Sequence, residues 1–94
     1  MQTISHWIDG KAVQSQSGQF GPVHDPATGE KVARVGFADV EETDRVVASS
    51  LAAYADWRNT SLTRRMQIMF AVRSLLDEAR DELAGIISSE HGKT

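Results

Sequence analysis

The sequence predicts an α+β chain: β-hairpins over residues 1–38, then two long helices over 39–94, the second of them broken. Three observations predict it. Five of the seven glycines and both prolines precede Asp39, which marks short strands punctuated by turns. Beyond Asp39 the chain is rich in Ala, Leu, Arg and Glu, with apolar residues recurring at helical spacing. At the junction, Asp39 and Glu42 stand three apart, the spacing of a capping box.

The first element is a hairpin. Ile4, Trp7 and Ile8 precede Asp9-Gly10, a pair suited to a turn that needs positive φ at both central positions, and Lys11-Ala12-Val13 returns as the partner strand. Gln14-Ser15-Gln16-Ser17-Gly18 reads as a polar, flexible linker. Phe20 to His24 and Val32 to Phe37 then bracket the loop Asp25-Pro26-Ala27-Thr28-Gly29-Glu30, forming a second hairpin. In that loop Asp25 can accept from the backbone two residues on, Pro26 fixes φ, and Gly29 accepts positive φ, so turn chemistry alone explains it. Val35 and Phe37 share a face while Val32 falls on the other, which calls for burial of both faces or a bulge.

The first helix runs from about Val40 to Arg58. Asp39 caps it, Glu42 completes the box and Glu41 adds negative charge where the helix dipole favours it. Val40, Val47, Leu51 and Tyr54 form its apolar stripe, widened by Val46, Ala53 and Trp57. Asn59-Thr60 breaks the helix and Ser61 caps the next, which begins at Leu62. Ile68, Val72, Leu75 and Ala79 form one row there, with Met69, Leu76 and Leu83 beside it. Met66 and Phe70 lie off that stripe, so a second apolar face needs a cover. Asp77 and Asp81 are like charges four apart, which favours a break near Arg80 or Asp81. The last segment carries Leu83, Ile86 and Ile87 inward and stops at Gly92, a natural C-cap beside His91 and Lys93.

Composition narrows the function classes. Hydrophobic residues at 40% and charged residues at 24% are ordinary for a folding chain. A net charge of −3 provides no basic footprint for nucleic acid, and Arg64-Arg65 is too small a cluster to supply one. The chain has no cysteine, hence no disulfide, no thiolate metal site and no thiol nucleophile, in keeping with a cytoplasmic protein. The first residues lack the charged and apolar regions of a secretion signal, and no segment reaches the length of a membrane span.

Several site-like features carry bland explanations. Gly92-Lys93-Thr94 resembles the tail of a phosphate-binding loop, but the earlier glycine that loop requires is Ile87 here, and the tripeptide closes a helix instead of opening one. His6, His24 and His91 lie in different elements and suit surface or capping roles better than metal ligation. Trp7 and Trp57 read as packing anchors, and Arg64-Arg65 as solvated salt-bridge partners. No residue is assigned a catalytic, cofactor-binding or metal-binding role.

Four patterns, in order, resemble the start of aldehyde dehydrogenases: Trp7-Ile8-Asp9-Gly10-Lys11, the loop from Asp25 to Glu30, the Ala-rich helix ending in Trp57-Arg58, and Glu90-His91-Gly92-Lys93. Thr60-Ser61-Leu62 followed by Arg64-Arg65, together with Phe70 and Glu90-His91-Gly92-Lys93, is similar to the methylmalonate-semialdehyde dehydrogenase branch. The resemblance covers essentially the whole chain. It implies that residues 1–94 are an incomplete N-terminal portion of the α/β NAD-binding domain of a larger enzyme, with the remainder of the parent chain and a homo-oligomer as partners. It also implies NAD and coenzyme A as cofactors of the full enzyme, none of them held by this segment alone. The family's nucleophilic cysteine, general base, oxyanion donor and main nucleotide-binding residues belong to segments beyond Thr94. In some relatives, backbone carbonyls just before the Asn-Pro or Asp-Pro step hold a monovalent cation, which corresponds here to the neighbourhood of Val23 and His24, without the other ligands. Asp25 stands where many relatives have asparagine. The competing reading is a free-standing interaction or dimerisation module whose Met66 and Phe70 face binds a partner.

Overall fold

The computed structural model describes residues 2–92. Five strands are followed by three helices: β1 Gln2–Ile4, β2 His6–Ile8, β3 Lys11–Val13, β4 Phe20–His24, β5 Lys31–Gly36, α1 Val40–Trp57, α2 Leu62–Glu78 and α3 Arg80–His91. The mixed α+β architecture expected from the sequence is therefore present.

The Asp9-Gly10 turn forms as the dipeptide dictates, with φ of 53° and 76°, and joins β2 antiparallel to β3. β4 and β5 form the second hairpin. Asp25 Oδ1 accepts the backbone N–H of Ala27 at 2.9 Å, and Gly29 takes φ of 77°. The register answers the pattern around Val32: Val23 pairs with Ala33 but His24 pairs with Lys31, so Val32 is an extra residue between them. A bulge, with Val32 on the exposed side, accounts for the broken alternation; burial of both faces does not.

One strand falls outside the expectation. Ile4 does not extend the first hairpin but belongs to β1, which pairs in parallel with β5 through Gln2↔Ala33, Thr3↔Arg34 and Ile4↔Val35. The sheet order is β1-β5-β4, with β2-β3 as a separate ribbon. Local periodicity gives no sign of a parallel partner some thirty residues away.

The helices begin where their caps place them. Asp39 accepts from Glu42 N at 2.7 Å while the Glu42 carboxylate accepts from Asp39 N at 3.0 Å, closing the capping box. Ser61 Oγ accepts from Arg64 N at 3.1 Å at the start of α2. Ala79 separates α2 from α3 at the charged run, and Gly92 ends α3 in the left-handed region with its N–H donating to Ser88 O at 2.9 Å. Lys93 and Thr94, the end of the phosphate-loop mimic, lie outside the described residues.

Packing is sparse. Among the described residues Ala33, 5% exposed, is the buried apolar residue, and extended contact between elements is confined to strand pairs. The Cα radius of gyration is 17.1 Å, against about 12 Å for a compact domain of this length. The accessible surface is 7791 Å², about 2,400 Å² more than a folded monomer of this mass exposes. The stripes expected to face a core therefore meet none among the described residues. Val47 is 61% and Leu51 68% exposed, Ile86 and Ile87 are exposed instead of turned inward, and Trp7 is 76% exposed instead of anchoring a core. Among the described residues no helix is long and apolar enough to cross a membrane.

Candidate docking surface

Two features organise the molecule: a polar clasp that fixes where the helices leave the sheet, and the apolar surface those helices carry. The clasp is built on Glu42. Its place at the third position of α1 follows from the capping box, and its relative exposure of 6% makes it a buried charged residue in an open molecule. The carboxylate accepts the backbone N–H of Gln16 and of Asp39, and lies 2.9 Å from Ser15 Oγ. Ser15 Oγ lies 2.6 Å from Phe37 O as well as 2.9 Å from Glu42, so its single proton is shared between these two acceptors, and Ser17 Oγ also donates to Phe37 O. These donors, led by Gln16 N–H, hold the Glu42 carboxyl below its ordinary range; desolvation opposes them, and Asp39, Ser15 and the charge of His6 add to the lowering. His6 Nε2 lies 2.6 Å from Gly36 O, an acceptor only, so that nitrogen carries the proton.

The clasp corrects the reading of residues 14–18 as a free linker. Ser15, Gln16 and Ser17 are tied to the end of β5 and the start of α1. Sequence reasoning missed this because a capping-box glutamate uses only part of its acceptor capacity locally, and nothing in the linker names the partner for the rest. The one sign was the run of small hydroxyl side chains at Ser15 and Ser17, which favour local backbone bonding.

The apolar surface lies mainly on α2. By helical geometry Leu75, Ile68, Val72, Leu76, Met69, Leu62, Met66 and Phe70 occupy an arc of about 220° around its axis, interrupted by Arg65 and Arg73. A helix apolar over so much of its circumference is built to be covered on more than one side. Phe70 and Arg73 stand between two open grooves. One, about 450 Å³, is lined by Trp57, Leu62, Arg65, Met66 and Met69; the other, about 700 Å³, runs to Leu83 and Ile87 on α3. Phe70 is 58% exposed. The sequence singled out Met66 and Phe70 as an uncovered face, and the structure joins them to Trp57, Leu62 and Met69 in one groove.

Arg64 and Arg65 form no salt bridge among the described residues, contrary to expectation, and Arg65 Nε is buried without a partner. The ion pair that does form, Arg80 with Asp77, straddles the α2–α3 break. The three histidines are not brought together, and no group of three His, Asp or Glu able to hold a metal occurs among the described residues.

Comparison with known proteins gives one consistent result. The model of the aldehyde dehydrogenase family matches residues 12–94. Malonate-semialdehyde dehydrogenase 2 of Geobacillus kaustophilus is 39% identical over 94 residues, 100% of this chain and 19% of that protein. Malonate-semialdehyde dehydrogenase of Pseudomonas aeruginosa is 34% identical over the same length, again 19% of its own. The crystal structure of a Sinorhizobium meliloti protein named as a methylmalonate-semialdehyde dehydrogenase, complexed with NAD, superimposes with a TM-score of 0.93 at 35% identity, covering 97% of this chain and 18% of that one. The chain thus spans about a fifth of the length of the relatives it matches.

Proposed function

The chain belongs to the aldehyde dehydrogenase family, and from that premise we propose that it is the N-terminal structural segment of an NAD-dependent, CoA-acylating malonate- or methylmalonate-semialdehyde dehydrogenase. The observation that carries this reading is the TM-score of 0.93 over 97% of the chain with a protein named as a methylmalonate-semialdehyde dehydrogenase and complexed with NAD. In the full enzyme, NAD would supply the hydride acceptor that turns a cysteine–aldehyde adduct into a thioester, and coenzyme A the thiol that takes the acyl group and returns the cysteine. This chain has no cysteine, and its proposed work is architectural.

Regions 1–38 and 39–94 form one incomplete portion of the nucleotide-binding domain, and the remainder of the parent chain covers the α2 grooves. That cover explains why apolar stripes at good helical spacing stand in water here. None of the 94 residues is assigned to catalysis, to cofactor binding or to a metal. The parent is a cytoplasmic homo-oligomer using NAD and coenzyme A.

The test is acyl-CoA-forming NAD reduction with malonate or methylmalonate semialdehyde, run on this chain and on the longest product of its gene. Turnover by the long product alone supports the reading. Failure of both with either aldehyde, with or without coenzyme A, overturns the substrate assignment.

A further inference from the structure

The geometry points to the Asp9-Gly10 turn as a site of spontaneous backbone rearrangement, at which the aspartate passes through a succinimide to isoaspartate. The inference concerns the first hairpin alone and does not rest on the dehydrogenase reading.

Three features single out this bond. Asp9 and Gly10 are both exposed at the tip, and the Asp9 carboxylate has no ion pair or hydrogen bond among the described residues. Open space surrounds Gly10, where even a Cβ would meet nothing within 4 Å. The turn also closes a weakly held element: β2 and β3 form a ribbon of three residue pairs outside the main sheet, and two-stranded hairpins are marginal in water. The bond from His6 Nε2 to Gly36 O, 2.6 Å, tethers the ribbon at the end away from the turn. Local opening at the tip therefore costs little, relieves the positive φ of Asp9, and brings Gly10 N against Asp9 Cγ.

The step balances without any other reactant. Gly10 N bonds to Asp9 Cγ, and the hydroxyl of the protonated carboxyl leaves as water with the amide proton. Water then enters at the Asp9 backbone carbonyl carbon and breaks its bond to Gly10 N, so that the chain runs through Cβ and Cγ; entry at Cγ restores aspartate. The other aspartates lack these conditions. Asp25 precedes Pro26, whose nitrogen has no hydrogen, and Asp39 is engaged in its cap. Asp44, Asp56, Asp77 and Asp81 lie in helices, where the backbone is held away from the conformation that ring closure needs. Isoaspartate adds a backbone carbon to the turn, so Ile8 and Lys11 no longer sit opposite one another. The ribbon face that carries them, with His6 and Val13, then loosens over Glu42 and Arg45.

Ageing the longest product of the gene at neutral pH, beside a synthetic peptide of residues 5–13, tests the proposal. Peptide mapping with electron-transfer fragmentation, and methyl transfer by an isoaspartyl methyltransferase, report isoaspartate of unchanged mass. It should accumulate at Asp9 ahead of every other aspartate. Asp9→Asn keeps the turn, because asparagine tolerates positive φ, and reaches the same succinimide by losing ammonia in place of water. That variant should convert faster than the natural chain, with a gain in mass. Failure of either protein to convert, over a time in which the matching free peptide does, overturns the proposal by showing that the folded turn shields the bond. Isoaspartate spread evenly over the aspartates overturns the selectivity.

Discussion

The backbone N–H of Gln16 donates to the carboxylate of Glu42, 26 residues further along the chain. That bond joins the loop after β3 to the first turn of α1, and with Asp39 and Ser15 it holds the carboxylate below its ordinary range. A group with a depressed folded-state pKa contributes stability above its unfolded value and loses it as pH falls through the folded one. The Gln16 amide should therefore stay protected from hydrogen exchange at neutral pH and in mild acid, and lose protection below the usual glutamate range. Glu42→Gln should remove this acid step. A Gln16 amide whose protection is independent of Glu42 and of pH would show that the clasp carries no energy.

Gly36→Ala should open the same clasp from the other side. A Cβ at Gly36 would lie 2.7 Å from Ser15 Cβ, an atom rooted in the backbone of a tethered residue. The expected loss is about 1–3 kcal/mol, read by denaturant unfolding and by exchange at Gln16. Gly21→Ala meets the ring of Phe37, but that ring is half exposed and can swing aside. Its effect should be the smaller of the two.

Asp39→Ala should fray the first turn of α1 and cost about 1 kcal/mol, whereas Asp39→Asn should retain most of the cap. Chemical shifts of residues 40–43 separate the two outcomes. Equal fraying in both variants would show that the capping geometry does not govern the start of the helix.

In the longest product of the gene, Phe70→Glu should cost several kcal/mol of stability or abolish soluble expression, because it buries an unpaired charge beneath whatever covers α2. Glu30→Ala, in the exposed loop, should stay within about 0.5 kcal/mol. Thermal unfolding of the two variants decides whether the α2 face is covered there. Equal stability of the two would leave that face in solvent.

Much of the fold was legible because its signals are local. Asp9-Gly10, Asp25 with Gly29, the Asp39–Glu42 box, Ser61 and Gly92 each place a turn or a helix end through chemistry within a few residues, and the structure puts an element boundary or turn at every one. The parallel β1–β5 pairing and the Glu42–Gln16 bond were not legible, since both join segments far apart whose residues look ordinary by themselves. The apolar stripes were read as core-facing, and the structure leaves them exposed, because spacing says only that a helix face is apolar. It does not say what covers that face, and Val47, Leu51 and Phe70 are exposed here.

The parallel pairing of Gln2–Ile4 with Ala33–Val35 imposes an order of events on a growing polypeptide. β1 leaves the ribosome first, yet has nothing to pair with until β5 has followed it, whereas β4 and β5 can close their hairpin as soon as both are out. The earliest strand made is thus the latest placed, because joining distant segments carries a loop-closure cost that a hairpin largely avoids. Pulse-labelling hydrogen exchange should find the β4–β5 amides protected before those linking Gln2–Ile4 to β5; the reverse order would show that the N-terminus templates the sheet.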